Sequence, residues 1–139
     1  MGQIFNEGLT SIIKGEIAFL TDTISVGLFS AAAAPDIDAD TFLSDITGEL
    51  SGGGYVRKTL ASKTVTTDDA NNRSIADAAD VQWTSLTGTF RYIITFEDTG
   101  VASTSRLLSV IDTGSNQTLA NGTYDVTWPT SGVFFIQNP

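Results

Sequence analysis

"FRYIITFED", residues 90–98, decides how this chain folds. Successive side chains of an extended strand point to opposite sides, so Phe90, Tyr92, Ile94 and Phe96 share one face and Arg91, Ile93, Thr95 and Glu97 the other. A face of two phenylalanines, a tyrosine and an isoleucine must be covered, and it predicts the wall of a core. Segments of the same kind recur on both sides of it: "YVRKTLA", "SKTVTT", "DVQWT", "SRLLSVID", "TYDVTW" and "GVFFIQ". Each is rich in β-branched or aromatic residues and bounded by Gly, Asn, Asp or Ser. Strand starts return about every ten residues, the rhythm of an antiparallel sandwich or barrel. A parallel sheet would need crossover helices, and this part of the sequence has no helical period. Trp83 and Trp128 sit inside these strands, where a large aromatic contributes buried area before it serves as a sugar-stacking platform.

Upstream the period changes. Phe5, Leu9, Ile12, Ile13, Ile17 and Leu20 recur at spacings of three and four, predicting an amphipathic helix within residues 1–22 that Gly8 and Gly15 weaken. "TISVGLFSAA" then alternates, with Ile24, Val26 and Leu28 on one face and Ser25 and Gly27 on the other, as in a half-buried strand. Residues 31–54 form a long irregular connection, in which Phe42, Leu43 and Ile46 suggest a short helical turn over the core. Such a connection is more often contact-making than incidental. The chain has 139 residues, the size of one domain. The expectation is a single mainly β domain over 1–139, an antiparallel β-sandwich (jelly-roll-like or Ig-like) with an N-terminal amphipathic helix and its main β region at 55–139.

Composition excludes much chemistry. Sixteen acidic residues against seven Lys and Arg give a net charge of −9, which repels nucleic acid unless the cations cluster. Arg57, Lys58, Lys63 and Arg73 do share one segment, and they read first as solvated strand and loop positions. There is no Cys and no His. Disulfides, thiolate zinc sites, cysteine nucleophiles, Ser-His-Asp arrangements and imidazole metal ligands are therefore all excluded. The first 22 residues lack the basic region, apolar core and cleavage site of a signal peptide, and Glu7, Lys14 and Glu16 interrupt any spanning helix. The expectation is a soluble protein that engages neither nucleic acid nor membrane.

Gly52, Gly53 and Gly54 lack the Gly-Lys-Ser/Thr of a phosphate loop and precede a strand where that loop would open a helix. They read as a joint between the long connection and the sheet. "DIDAD" places Asp36, Asp38 and Asp40 at alternate positions, the start of a calcium loop, but Thr41 stands at the sixth position and Thr47 at the twelfth. Asp68 and Asp69 select no site with them, and no cofactor or metal is expected. Two suitably spaced carboxylates can hydrolyse glycosides, yet no motif selects a pair among sixteen acids. The triplets at Asn72, Asn116 and Asn121 read as Asn-rich turns.

The strings "DTISVGLFS", "SGGGYVRKTLASKTVTTDDANN", "ADVQWTSLTGTFRYIITFEDTG", "SRLLSVIDTG" and "GTYDVTWPTSGVFFI", in this order, resemble a family of small structural virion proteins of tailed bacteriophages. The resemblance spans nearly the whole chain. It implies a non-enzymatic capsid decoration or cement protein, often trimeric, that binds the major capsid protein lattice on the virion surface after assembly in the host cytoplasm. A tail, neck or fibre component is the alternative in the same setting, and a carbohydrate-binding module using Trp83 or Trp128 the alternative of another class. For the contact surface the expectation is Phe5, Phe42, Tyr55 and Arg57, with no catalytic residue.

Overall fold

The computed structural model describes residues 2–139; Met1, the first residue of the expected helix, lies outside them. In chain order the elements are β1 (Gln3–Ile4), α1 (Asn6–Ile13), β2 (Ile24–Phe29), 3-10 turns at Ala31–Ala33 and Leu43–Asp45, β3 (Lys58–Thr59), β4 (Thr64–Asp68), β5 (Arg73–Asp77), β6 (Val81–Glu97), β7 (Leu107–Val126) and β8 (Phe134–Gln137). They form two antiparallel sheets, one ordered β1-β7-β6-β2-β3 and one ordered β4-β5-β8. The architecture is mainly β, a sandwich with one short helix near its N-terminus. No helix among the described residues is long and apolar enough to cross a membrane.

Four of the expected strands are two. "DVQWT" and "FRYIITFED" lie in β6, and "SRLLSVID" and "TYDVTW" lie in β7. The intervening residues have turn chemistry, but here they make bulges within a continuous ladder. Pairing steps from Trp83↔Tyr124 to Leu86↔Gly122, and from Phe90↔Gln117 to Tyr92↔Asp112. Ser85 and Asn121, both at φ 51, and Gly114 at φ 81 absorb the extra residues in left-handed backbone.

The bulge beside Arg91 also splits the face expected from "FRYIITFED". Phe90 and Ile93 both enter the larger core, whereas Tyr92, Ile94 and Phe96 belong to a second one. A strict two-residue alternation fails there because the bulge resets which side each residue faces. The larger core lies between the sheets. Val26, Leu28, Trp83, Leu86 and Phe90 meet Ala76 and Phe134 of the small sheet, together with Ile17 and Phe19. The second core lies on the opposite face of the large sheet, where Phe5, Phe29, Ile94, Phe96, Leu107 and Val110 meet Leu43 and Ile46 of the long connection. Every residue of β2 is therefore buried. The half-buried strand expected from "TISVGLF" is a central strand covered on both faces.

The helix is shorter than its apolar period, ending at Ile13 where 1–22 was expected. The Gly15 N–H donates to the Ile12 carbonyl at 3.1 Å and the Glu16 N–H to the Ser11 carbonyl at 2.8 Å. With Gly15 at φ 75, these two bonds form a Schellman motif, which satisfies the last helical carbonyls and turns the chain away. Ile17 and Phe19 reach the core from an irregular strap. "RSIAD" within 73–77 carried no strand expectation, yet it is β5, paired on both sides by β4 and β8. The glycine run crosses β6 at its bulge: the Thr87 N–H donates to the Gly53 carbonyl at 2.7 Å.

Candidate functional site

The four expected contact residues do not form one surface. Phe5 is fully buried in the second core, so it has nothing to present to a partner. Its position before α1 points it at the sheet, and the Phe5 N–H is bonded to the Leu108 carbonyl at 3.0 Å. Phe42 is half-buried, bridged to Arg106 through the backbone, with the Arg106 guanidinium 5.9 Å from its ring centre. Beside it, Asp45 accepts the N–H groups of Thr41 at 3.0 Å and Phe42 at 2.8 Å. These two bonds, Phe42's first, hold the Asp45 carboxyl below the usual aspartate range.

Tyr55 and Arg57 do come together, around Glu49. The Tyr55 hydroxyl donates to Glu49 Oε1 at 2.7 Å and accepts the Leu28 N–H at 3.2 Å. Arg57 grips the same carboxylate with Nε at 2.7 Å and Nη2 at 2.8 Å. Its guanidinium lies 5.1 Å from the Phe96 ring centre, and the Tyr55 ring stacks on Trp83 with centroids 6.4 Å apart. Burial, followed by the bond to Glu49, raises the Tyr55 pKa far above the usual phenol value. A phenol held protonated and a carboxylate neutralised by a bidentate arginine make a structural tie. The cluster fastens the long connection to β2. Glu49, its centre, gave no sequence signal, because its partners lie six and eight residues on in the chain and across the sheet.

Asp36 and Asp40 of "DIDAD" serve the backbone, and Asp38 a neighbouring side chain. Asp36 Oδ1 accepts the N–H groups of Asp38 at 2.9 Å and Ala39 at 3.3 Å, Asp40 Oδ2 accepts the Asp36 N–H at 2.8 Å, and Asp38 Oδ1 accepts from the Asn6 side chain at 2.8 Å. No three acidic side chains among the described residues gather as a metal site. The cations of the 57–73 segment do not cluster either. Arg57 is held by Glu49, Arg73 pairs with Asp68 at 2.8 Å, and Lys63 donates to the Asp22 carbonyl. Both indoles are buried, with Trp83 Nε1 donating to the Val56 carbonyl and Trp128 Nε1 to that of Ala79. Neither presents a ring face for stacking a sugar.

Surface open to a partner is found elsewhere. One side of the β6–β7 ribbon carries an exposed cross-strand ladder, Gln82 to Asp125 at 2.6 Å, Thr89 with Thr118 at 3.0 Å and Arg91 to Asp112 at 2.8 Å. An apolar groove of about 100 Å³ lies between the small sheet, α1 and the strap that follows it, lined by Ile12, Phe19, Val65, Ala76, Phe134 and Ile136. Ser74 and Ile136 line both this groove and an open polar cleft of about 470 Å³ at the β4–β5 turn and the C-terminus. The outer strand of that sheet, β4, is exposed over Thr64–Thr67 and is hydrogen-bonded on one side only. Compared with family models, with curated proteins and with solved structures, the chain matches none.

Proposed function

We propose that this chain is a structural subunit of a tailed-phage virion, a capsid decoration protein that binds the major capsid lattice and stabilises the head. The setting comes from the ordered strings that resemble small phage structural proteins. One structural observation supports the kind of role: β4, the outer strand of the small sheet, is exposed and hydrogen-bonded on one side only, and Val65 and the neighbouring strands border an apolar groove. Open edges and apolar grooves are the features that repeated subunits use to bind neighbours. On a particle, many such contacts act together, so each need be only modest in strength.

In this role the subunit performs no reaction, and its partner is the major capsid protein with further copies of itself. The test is to remove the protein from particles and challenge them with heat and osmotic shock. Particles that lose DNA at lower temperature without it, and recover when it is added back, support cementing. Equal resistance with and without it would overturn that role. Density for many copies spread over the head supports decoration, whereas density confined to one vertex or the tail would assign the alternative tail, neck or fibre role.

A further inference from the structure

We infer that β4 is a self-pairing edge, through which two copies of the chain join antiparallel strands about a two-fold axis at Thr66. A protein that keeps its edges solitary blunts them with Pro, inward charges, bulges or extreme shortness. Within β4, "TVTTD", there is no Pro and no Lys, and its pairing with β5 runs through five consecutive residues without a register shift. Val65 is 50% exposed at the edge of the apolar groove. Such a strand is complete on one side and a template on the other.

The occupant is chosen by the sequence around Thr66. In an antiparallel two-fold pairing centred there, residue i of one copy lies opposite 132 − i of the other, a sum fixed by Thr66 facing itself. Val65 then lies opposite the second copy's Thr67, Thr64 opposite Asp68, and Lys63 opposite Asp69 at the start of the turn. The strand is thus complementary to itself in charge, with the Lys–Asp pair made twice. A register moved by two residues in either copy loses both pairs. A register with an odd sum sets the apolar face of one copy against the polar face of the other. Lys63 already donates to the Asp22 carbonyl, but an ammonium has three donors. Asp69 has no side-chain hydrogen bond or ion pair among the described residues. The result is a continuous six-stranded sheet, three strands from each copy, with the two groove faces on the same side. This contact is separate from any contact with a capsid lattice and can exist whether or not the chain is a virion protein.

The native chain contains no cysteine, which makes a crosslinking test clean. Directly opposed antiparallel residues have Cα atoms about 4.5–5.5 Å apart, within disulfide range. Thr66→Cys should therefore oxidise to a covalent dimer at least ten-fold faster than Thr89→Cys, which places a thiol on the exposed ribbon face. Sedimentation equilibrium of the wild type should give twice the 14.7 kDa chain mass. Asp69→Lys should shift it to the single mass by opposing Lys63 with a like charge, and the double variant Lys63→Asp with Asp69→Lys should restore the dimer. Far-UV circular dichroism and thermal melting identify a variant that has lost its fold. If Lys63→Asp destabilises the strap by losing the Asp22 contact, the Asp69→Lys and Thr66→Cys arms still decide. A monomeric or trimeric wild type, equal oxidation at the two thiols, or a dimer indifferent to Asp69→Lys would overturn the inference.

Discussion

Gly53 shows how closely one position can be constrained. An added Cβ would lie 2.1 Å from the Thr87 carbonyl oxygen, and its φ of 59 is left-handed. Gly52, at φ 69, has nothing within 4 Å. Gly53→Ala is expected to cost more than about 2 kcal/mol, because overpacking against backbone adds to left-handed strain, and Gly52→Ala only about 1 kcal/mol. Denaturant midpoints of the pair measure the difference. Phe5→Ala should cost about 3–5 kcal/mol, as expected when a fully buried phenylalanine leaves a cavity; near-zero loss would contradict its place in the second core. Tyr55 makes a spectroscopic prediction. Its pKa is raised in the fold, so the stabilisation it confers is complete below the ordinary phenol value of about 10 and falls as pH rises above it. In the ultraviolet titration of the folded protein, Tyr55 should remain protonated through that range, and Tyr55→Phe should remove the latest-ionising phenol.

At the scale of elements, the β6–β7 ribbon can be tested at its bulges. The step from Trp83 to Leu86 takes three residues where Tyr124 to Gly122 takes two. Deleting Ser85, the left-handed residue of that step, would leave two against two, so Trp83 and Leu86 keep their common face and the ladder becomes regular. Trp83 fluorescence emission should stay at its buried wavelength with a cooperative melt, whereas emission shifted to the red would show that the bulge itself holds Trp83 in the core. The Leu43–Asp45 turn has an acid limb. The Asp45 pKa is lowered, so its contribution is present above the ordinary value of 3.8 and is lost as pH falls through the lower folded one. Asp45→Ala should therefore reduce stability at pH 6 and flatten the decline at the acid end, as read from melting temperature against pH. The elements also show what was legible. The alternation in "TISVGLF" gave β2, whereas Gly15 read only as a weak point in an apolar period that runs on to Leu20, and the structure ends α1 there. "SLTGT" and "TGSNQTLANG" read as turns because the same Gly, Asn and Ser chemistry builds turns and bulges, and only the partner strand distinguishes them.

For the whole molecule, four arginines are engaged internally with carboxylates, so the surface seen by a partner is more uniformly acidic than the sequence suggests. Solubility should fall to a minimum near the sequence pI of about 4.1, where self-repulsion vanishes; turbidity against pH checks this. The sequence by itself determined the class: mainly β strands in antiparallel sheets with a helix near the start, and without thiol or imidazole chemistry. Those follow from composition and from side-chain period, which are local properties. The candidate site was less legible. Phe5, Phe42, Tyr55 and Arg57 are aromatic or cationic residues in or near irregular sequence, and whether such a residue faces solvent depends on what packs over it. Only the tertiary structure decided that Phe5 is core, that Tyr55 and Arg57 are tied to Glu49, and that β2 is covered on both faces. It likewise decided that β4 stands at an open edge, because burial and edge position arise from long-range pairing between segments that carry no mark of one another in the chain.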